Sequence, residues 1–579
     1  MVRLEQNGAT DGRRRSRRHR SAWVLGLGIG ISAGLMTGAA RGDEPAIGAK
    51  ATASAAELTG KRVVPRHAGL ALSAEPGHAN GRSPGRASNG DIYLVDQVKG
   101  SSVRLHLDGG AAGWADAGAV IPVERAVAFF SDAIAANPKD AFAFAMRGKI
   151  LLIERGDAEH ALADCNEAIR LAPDDPLAYE IRGVVRSARE EYDGAIADYS
   201  QLIRLRPGNA DAFGHRGAAY AALRQFPQAI ADFSEAIRLD PKDSAAYTSR
   251  AATRMMMGQP DRAIADFDTA LRINPNDLDA YAGRAAAAGQ KGDVDTAIAD
   301  YTRIIRLEPR AALAYQSRGA GYREKKEYDR AIADFTEAIR LDPKNPGVYL
   351  ARALTYREKK DYNRAIADCE TALKLGPESP DPYALRAGIY TDQADHDRAI
   401  ADYSRVIKLD PRNAWAYCNR GLAWFEKHDH DRAMLDLDRA VRLDPGSPWS
   451  YSNRGMVWFE RKVYDRAIAD LDHALQLDPE NPDALNGRAW ISATCPVAKY
   501  RDGQRATTLA KQACEQTEWK EPGVLDTLAA ACAEAGDFAS AIKWQTTANA
   551  LFPDGKEKTE GTARLKLYQA SKPYREVTP

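Results

Sequence analysis

Residues 244–276 read SAAYTSRAATRMMMGQPDRAIADFDTALRINPN. The first part of this stretch carries Tyr247, Ala251 and Arg254, a turn follows at residues 258–260, and the second part carries Ala263, Phe267 and Ala270. Spacings of four and then three put Ala263, Phe267 and Ala270 on one face of an α-helix. Small residues on that face let two helices approach closely, and the aromatic ring fills the groove between them. Asp261 is the expected N-cap of the second helix. Pro275 ends it, because proline has no backbone donor for the next turn.

The stretch recurs. Pro138, Pro173, Pro207, Pro241, Pro275, Pro309, Pro343, Pro377, Pro411, Pro445 and Pro479 are separated by one gap of 35 residues and then nine of 34. A fixed period near 34 marks a helical repeat array, in which each unit buries its apolar face only against its neighbours. The small–aromatic–small frame returns at Ala229/Phe233/Ala236, Ala297/Tyr301, Ala331/Phe335/Ala338, Ala399/Tyr403 and Ala467/Leu471/Ala474.

This pattern resembles the tetratricopeptide repeat over residues 123–553. The resemblance implies an all-α fold, a right-handed superhelix of about 12 repeats, with a small β-barrel-like module before it. The expected solenoid runs over residues 123–554. A lone helix (123–138) precedes ten full repeats (141–481), and two degenerate repeats (482–554) restore the frame after an insertion near 495–501. Residues 555–579 read as a C-terminal tail.

Arginine keeps the same period, at Arg147, Arg182, Arg216, Arg250, Arg284, Arg318, Arg352, Arg386, Arg420, Arg454 and Arg488. Aspartate answers on the second helix at Asp164, Asp198, Asp232, Asp266, Asp300, Asp334, Asp368, Asp402, Asp436 and Asp470. Matched rows of opposite charge predict an Arg–Asp pair within each unit rather than a basic ladder. A row neutralised in this way does not supply the salt-steep phosphate binding of a nucleic-acid protein, so no nucleic-acid partner is expected. Overall, Lys plus Arg equals Asp plus Glu, 80 each.

The balance hides a basic start: residues 1–42 hold eight arginines against Glu5 and Asp11. The apolar run 22–40, AWVLGLGIGISAGLMTGAA, follows. This order reads as a cleaved signal peptide or as a membrane anchor through residues 22–40. Residues 43–57 read as a linker. Either reading places the protein outside the cytoplasm, periplasmic or secreted, or held on the membrane.

Residues 58–122 carry short β signals at 61–66, 70–72, 92–98, 103–107 and 120–122, with Gly113 and Trp114 near the end and a flexible insertion at 73–90. They resemble the small SH3-like barrels of exported bacterial proteins, and that resemblance implies contact with cell-wall polymer. The alternative is a β cap over the open end of the solenoid.

Six cysteines in a chain this long do not make a disulfide scaffold. Cys165 and Cys369 take the aromatic position of second helices and read as core fillers, while Cys495 and Cys514 are either an oxidised pair or packed thiols. The string Gly81-Arg82-Ser83-Pro84-Gly85 lacks the strand and helix that a nucleophile elbow needs. His428 and His430 have no third ligand nearby. No catalytic residue, metal or cofactor is expected.

In the tetratricopeptide family the concave face is lined by first-helix positions two before, and one, five and eight after, each unit's tyrosine. In the middle units these are small: Ala245, Ala252, Ala282, Ala286 and Gly289. In late units they become Trp415, Cys418, Leu422 and Phe425, then Trp449, Ser452, Met456 and Phe459, with Trp490 next. The candidate ligand groove is therefore Trp415, Phe425, Trp449, Phe459 and Trp490, an exposed aromatic surface suited to a protein or peptide partner. Asn419 and Asn453 match the asparagine with which chaperone-tail-binding members hold a terminal carboxylate, although the accompanying lysines are absent. The expected function is a non-enzymatic protein–protein interaction scaffold of the bacterial cell envelope. Two alternatives stay open: an envelope polymer-binding protein acting through the β module, and an accessory subunit of an enzyme complex.

Overall fold

The computed structural model describes residues 55–68, 70, 72–75, 92–106 and 112–576. The expected export segment, most of the linker and most of the 73–90 insertion, with its Gly81–Gly85 string, lie outside the described residues. Two compact units are present, one ending at Pro309 and one beginning at Arg310.

The first unit opens with an antiparallel sheet of β1 (Arg62–Pro65), β2 (Tyr93–Lys99), β3 (Ser102–His106), β4 (Ala112–Asp116) and β5 (Val120–Pro122), in the order β4-β3-β2-β1-β5. Period-two alternation decides the faces: Tyr93 and Val95 point into the core and Leu94 points out. Leu70 and Leu72 fill that core without belonging to the sheet. A Cβ on Gly113 would lie 2.9 Å from that of Leu72, which is why β4 carries a glycine there.

The sheet does not stand apart from the helices. Val64 of β1 and Ile121 of β5 share one core with Val123, Phe130 and Met146. Arg66 lies 5.2 Å above the ring of Phe129, and Lys61 pairs with Glu124 at 3.4 Å. The β segment therefore covers the first helices.

Among the described residues there are 26 α-helices. In the first unit α1 (Val123–Ala136) is followed by the pairs α2 (Ala141–Arg155) and α3 (Ala158–Leu171), α4 (Pro176–Ala188) and α5 (Tyr192–Leu205), and α6 (Ala210–Ala222) and α7 (Phe226–Leu239). Then come α8 (Ser244–Met256) with α9 (Pro260–Ile273), and α10 (Leu278–Lys291) with α11 (Val294–Leu307). The second unit holds α12 (Ala312–Glu324) and α13 (Tyr328–Leu341), α14 (Pro346–Glu358) and α15 (Tyr362–Leu375), and α16 (Pro380–Asp392) and α17 (His396–Leu409). It continues with α18 (Ala414–Glu426) and α19 (His430–Leu443), then α20 (Pro448–Glu460) and α21 (Tyr464–Leu477). It closes with α22 (Pro482–Thr494) and α23 (Gly503–Gln516), α24 (Pro522–Glu534) and α25 (Phe538–Leu551), and a last helix, α26 (Lys556–Gln569). The expected tail is thus mostly helix, and its Tyr568 is fully buried.

Within each pair the predicted stripe is the core. Ala263, Phe267 and Ala270 are buried, as are Ala331, Phe335 and Ala338, with Cys165 and Cys369 replacing the ring in their units. Close approach is enforced: a Cβ on Gly183 would meet Tyr199 at 2.6 Å. Asp261 does not cap α9. The proline at 260 has its φ preset for the first helical position, so the helix begins there with Gln259 as N-cap. Asp261 sits in the first turn and pairs with Lys291. All six cysteines are free and buried, so Cys495 and Cys514 are packed thiols.

The arginine row is structural. In both units, from Arg147–Asp164 to Arg454–Asp470, the guanidinium donates through Nε and Nη2 to the paired second-helix carboxylate, at 2.6 to 3.1 Å. Arg488 departs: it pairs with Asp472 at 3.0 Å, because Leu509 stands where its own unit would place the aspartate, three residues after Ala506. Nη1 reaches back to the second helix of the preceding unit, as from Arg250 to Ser234 at 3.0 Å and from Arg454 to Asp438 at 2.9 Å. Asp266 also accepts from Arg254 at 2.6 Å. Removing that carboxylate in Asp266→Ala strands two guanidiniums in a mostly buried site. The expected cost is on the order of 3–5 kcal/mol, read as a lower urea midpoint and as faster amide exchange confined to α8–α10.

Candidate functional site

The proposed groove residues lie on consecutive first helices of the second unit, and the structure treats them unequally. Trp415 is exposed, at 53% of its full area, with one edge resting on Tyr403 at 5.7 Å between ring centres. Phe425 is half-buried and sits 5.6 Å from the ring of His430. Trp449 is half-buried as well. These three form the accessible part of the candidate surface.

The other two are corrections to the sequence reading. Phe459 is only 2% exposed and packs against Tyr464, at 5.8 Å. The first turn of α21 folds over it, which helical spacing within α20 alone does not reveal. Trp490 is 8% exposed and is covered from the far end of the chain. Tyr574 lies 6.0 Å from its ring, Arg564 lies 5.7 Å above it, and its indole N–H donates to Glu576 Oε1 at 3.2 Å.

The two asparagines are buried and already engaged. Asn419 Nδ2 donates to the Trp415 carbonyl at 2.8 Å, and Asn453 Nδ2 donates to Cys418 Sγ at 3.4 Å. The second bond ties α18 to α20. With these amides turned inward, the pair is not presented as a clamp for a terminal carboxylate. Burial pushes the Cys418 thiol above its ordinary pKa, which keeps it a neutral acceptor in that bond.

Trp424 and Trp458 occupy the position four residues after the paired arginine, and each is stacked by an arginine of its own second helix, Arg432 at 4.6 Å and Arg466 at 4.8 Å. They stiffen the helix pair instead of facing a partner. Asp429 caps α19 by accepting from the Arg432 backbone N–H at 3.0 Å, and His428 holds a left-handed turn at φ 60°. The histidine pair is therefore a helix-connecting turn. Among the described residues no three His, Cys, Asp or Glu side chains gather as a metal site.

Sequence reasoning missed the C-terminal contribution. Tyr574, Arg575 and Glu576 reach α22 and α24: Arg575 pairs with Glu534, and the Glu576 backbone N–H donates to the Thr494 carbonyl at 3.0 Å. The available signal was a pair of aromatics, Tyr568 and Tyr574, in an otherwise charged and polar terminus.

Burial sorts the aromatics by what their removal does. Trp415→Ala should lower stability by about 1 kcal/mol or less, since only an edge contact is lost. Phe459→Ala should cost ~3–5 kcal/mol through an internal cavity. Urea unfolding of the two variants checks the difference.

Models of the tetratricopeptide repeat match residues 123–176, 185–224, 210–243, 233–265, 250–312, 319–357, 346–379, 387–428 and 424–490. No curated protein matches significantly. Among solved structures, yeast Tom70 is similar at 16% identity, over 75% of this chain and 96% of its own, with a TM-score of 0.38. The Cut9 and Hcn1 hetero-tetramer of the APC/C is similar at 14% identity, over 76% and 93%, with a TM-score of 0.38. YrrB, described as a repeat protein with an unusual peptide-binding site, is 22% identical over 32% and 97%, with a TM-score of 0.28.

Proposed function

Because the chain belongs to the tetratricopeptide repeat family, we propose that it is a non-enzymatic scaffold of the bacterial cell envelope, which binds a partner protein or peptide on the first-helix face of its late repeats. The observation that carries this reading is the accessible trio Trp415, Phe425 and Trp449 on adjacent repeats. An exposed tryptophan beside half-buried rings is costly to leave in water and gains most when a partner covers it. The matching positions of α8 and α10, such as Ala252 and Ala286, offer no comparable anchor. The arginine row is tied to aspartate, so recognition here rests on apolar anchoring and not on charge.

The envelope assignment rests on the basic residues 13–20 followed by the apolar run 22–40. Among the described residues no helix is long and apolar enough to cross a membrane. The packing of β1 and β5 into the core of α1 and α2 favours a structural cap over a free polymer-binding module.

Two experiments test the proposal. Trp415→Ala combined with Trp449→Ala should abolish partner capture from an envelope extract while helicity and melting stay near wild type. A double variant that folds and still captures the partner overturns the site. Alkaline extraction and N-terminal sequencing of native protein should find a chain starting after residue 40 or 42, or one that stays with the membrane. Full-length protein released into the cytoplasmic fraction defeats the assignment.

A further inference from the structure

The C-terminal segment beyond α26 behaves as a bound peptide. After Gln569 the chain leaves the helix, and residues 572–576 run without regular secondary structure. Among the described residues, their hydrogen-bond, ion-pair and ring partners in the repeat array lie on first helices. Tyr574 stacks obliquely on Trp490 of α22, and Arg564 of α26 closes the sandwich, 5.7 Å above Trp490 and 5.5 Å above Tyr574. Arg575 pairs with Glu534 at the end of α24. Glu576 engages α22 twice, its carboxylate taking the Trp490 indole N–H at 3.2 Å and its backbone N–H donating to Thr494 at 3.0 Å.

We propose that residues 571–576 are a self-ligand of the array, held in the face of α22 and α24 that accepts a peptide of aromatic–basic–acidic order. The inference rests on the reading that first-helix faces bind peptides, and it names the chemistry one of them takes. Three features of the segment fit a displaceable ligand better than a structural strand. Residues 573–576 stay half-exposed, whereas Tyr568 of the preceding helix is fully buried. One ring, one cation and one carboxylate supply the side-chain contacts, Trp490 answering the ring and the carboxylate and Glu534 the cation. Among the described residues its one backbone bond to the array is the one to Thr494, where a β-strand would form a ladder.

Tethering matters to the outcome. A segment joined by a short link competes at an effective concentration of roughly millimolar. A partner of the same chemistry therefore binds this face only where its own affinity overcomes the tether, or where the tail has been drawn away. The tail sets a threshold for access to the last repeats.

The test uses the full chain and a labelled, acetylated and amidated peptide SKPYRE, residues 571–576, read by fluorescence anisotropy. The combined variant Tyr574→Ala and Arg575→Ala alters only the tail, so the face is vacated. The peptide should bind this variant at least tenfold more tightly than it binds wild type. Replacing the peptide's own tyrosine by alanine should weaken binding at least tenfold, as should adding Trp490→Ala to the tail variant. Equal binding to variant and wild type, binding to neither, or loss of the cooperative melt in the tail variant each overturns the proposal. Trp415→Ala with Trp449→Ala should leave this titration unchanged, which separates failure here from failure of the capture experiment.

Discussion

The array depends on a buried bidentate ion pair repeated in ten successive helix pairs, from Arg147–Asp164 to Arg454–Asp470. A carboxylate removed from water is tolerated only when its charge and lone pairs are answered. Asp198, at 1% exposure, meets that demand through both Arg182 and Arg186. The planar guanidinium fork suits the task in a way an ammonium does not. Two of its nitrogens grip the helix of its own pair, and the third reaches the unit before it. A tyrosine or phenylalanine three residues earlier lies under the same group, as Tyr247 does under Arg250 at 5.6 Å. One side chain thus fixes helix pairing, unit stacking and the orientation of an aromatic ring. Each unit is coupled to its immediate neighbour by charge as well as by apolar packing.

That arrangement divides labour between framework and surface. Since framework positions are occupied by the Arg, Asp and small–aromatic–small set, the first-helix lining positions are free to vary without loosening the stack. In the first unit they are mostly small. In α18 and α20 they include Trp415, Phe425 and Trp449, which bring aromatic area to solvent.

The fold was legible because periodicity is a property of the chain itself. The 34-residue spacing, the Ala263/Phe267/Ala270 face and the matched Arg250 and Asp266 each announce a local partner at a fixed offset. What could not be read is what depends on distant residues. Phe459 and Trp415 hold lining positions of the same class, yet Tyr464 covers one and nothing in the sequence around the other covers it. Trp490 is hidden by Tyr574, 84 residues away, which no helical spacing foretells. The missed cap at Asp261 has a smaller cause: a proline one residue earlier starts the helix first.

A stack of identical units has no intrinsic reason to stop, since the surface that receives one repeat also receives the next. Head-to-tail contacts of that kind build open filaments when they do not close. The sheet packed on α1 and α2 ends one terminus by presenting strands where a further helix pair would dock. At the other terminus α26 and Tyr568 seal the apolar side of α24 and α25. Both ends of the array are thus covered, which withholds the apolar surfaces that would otherwise receive a repeat from a second copy.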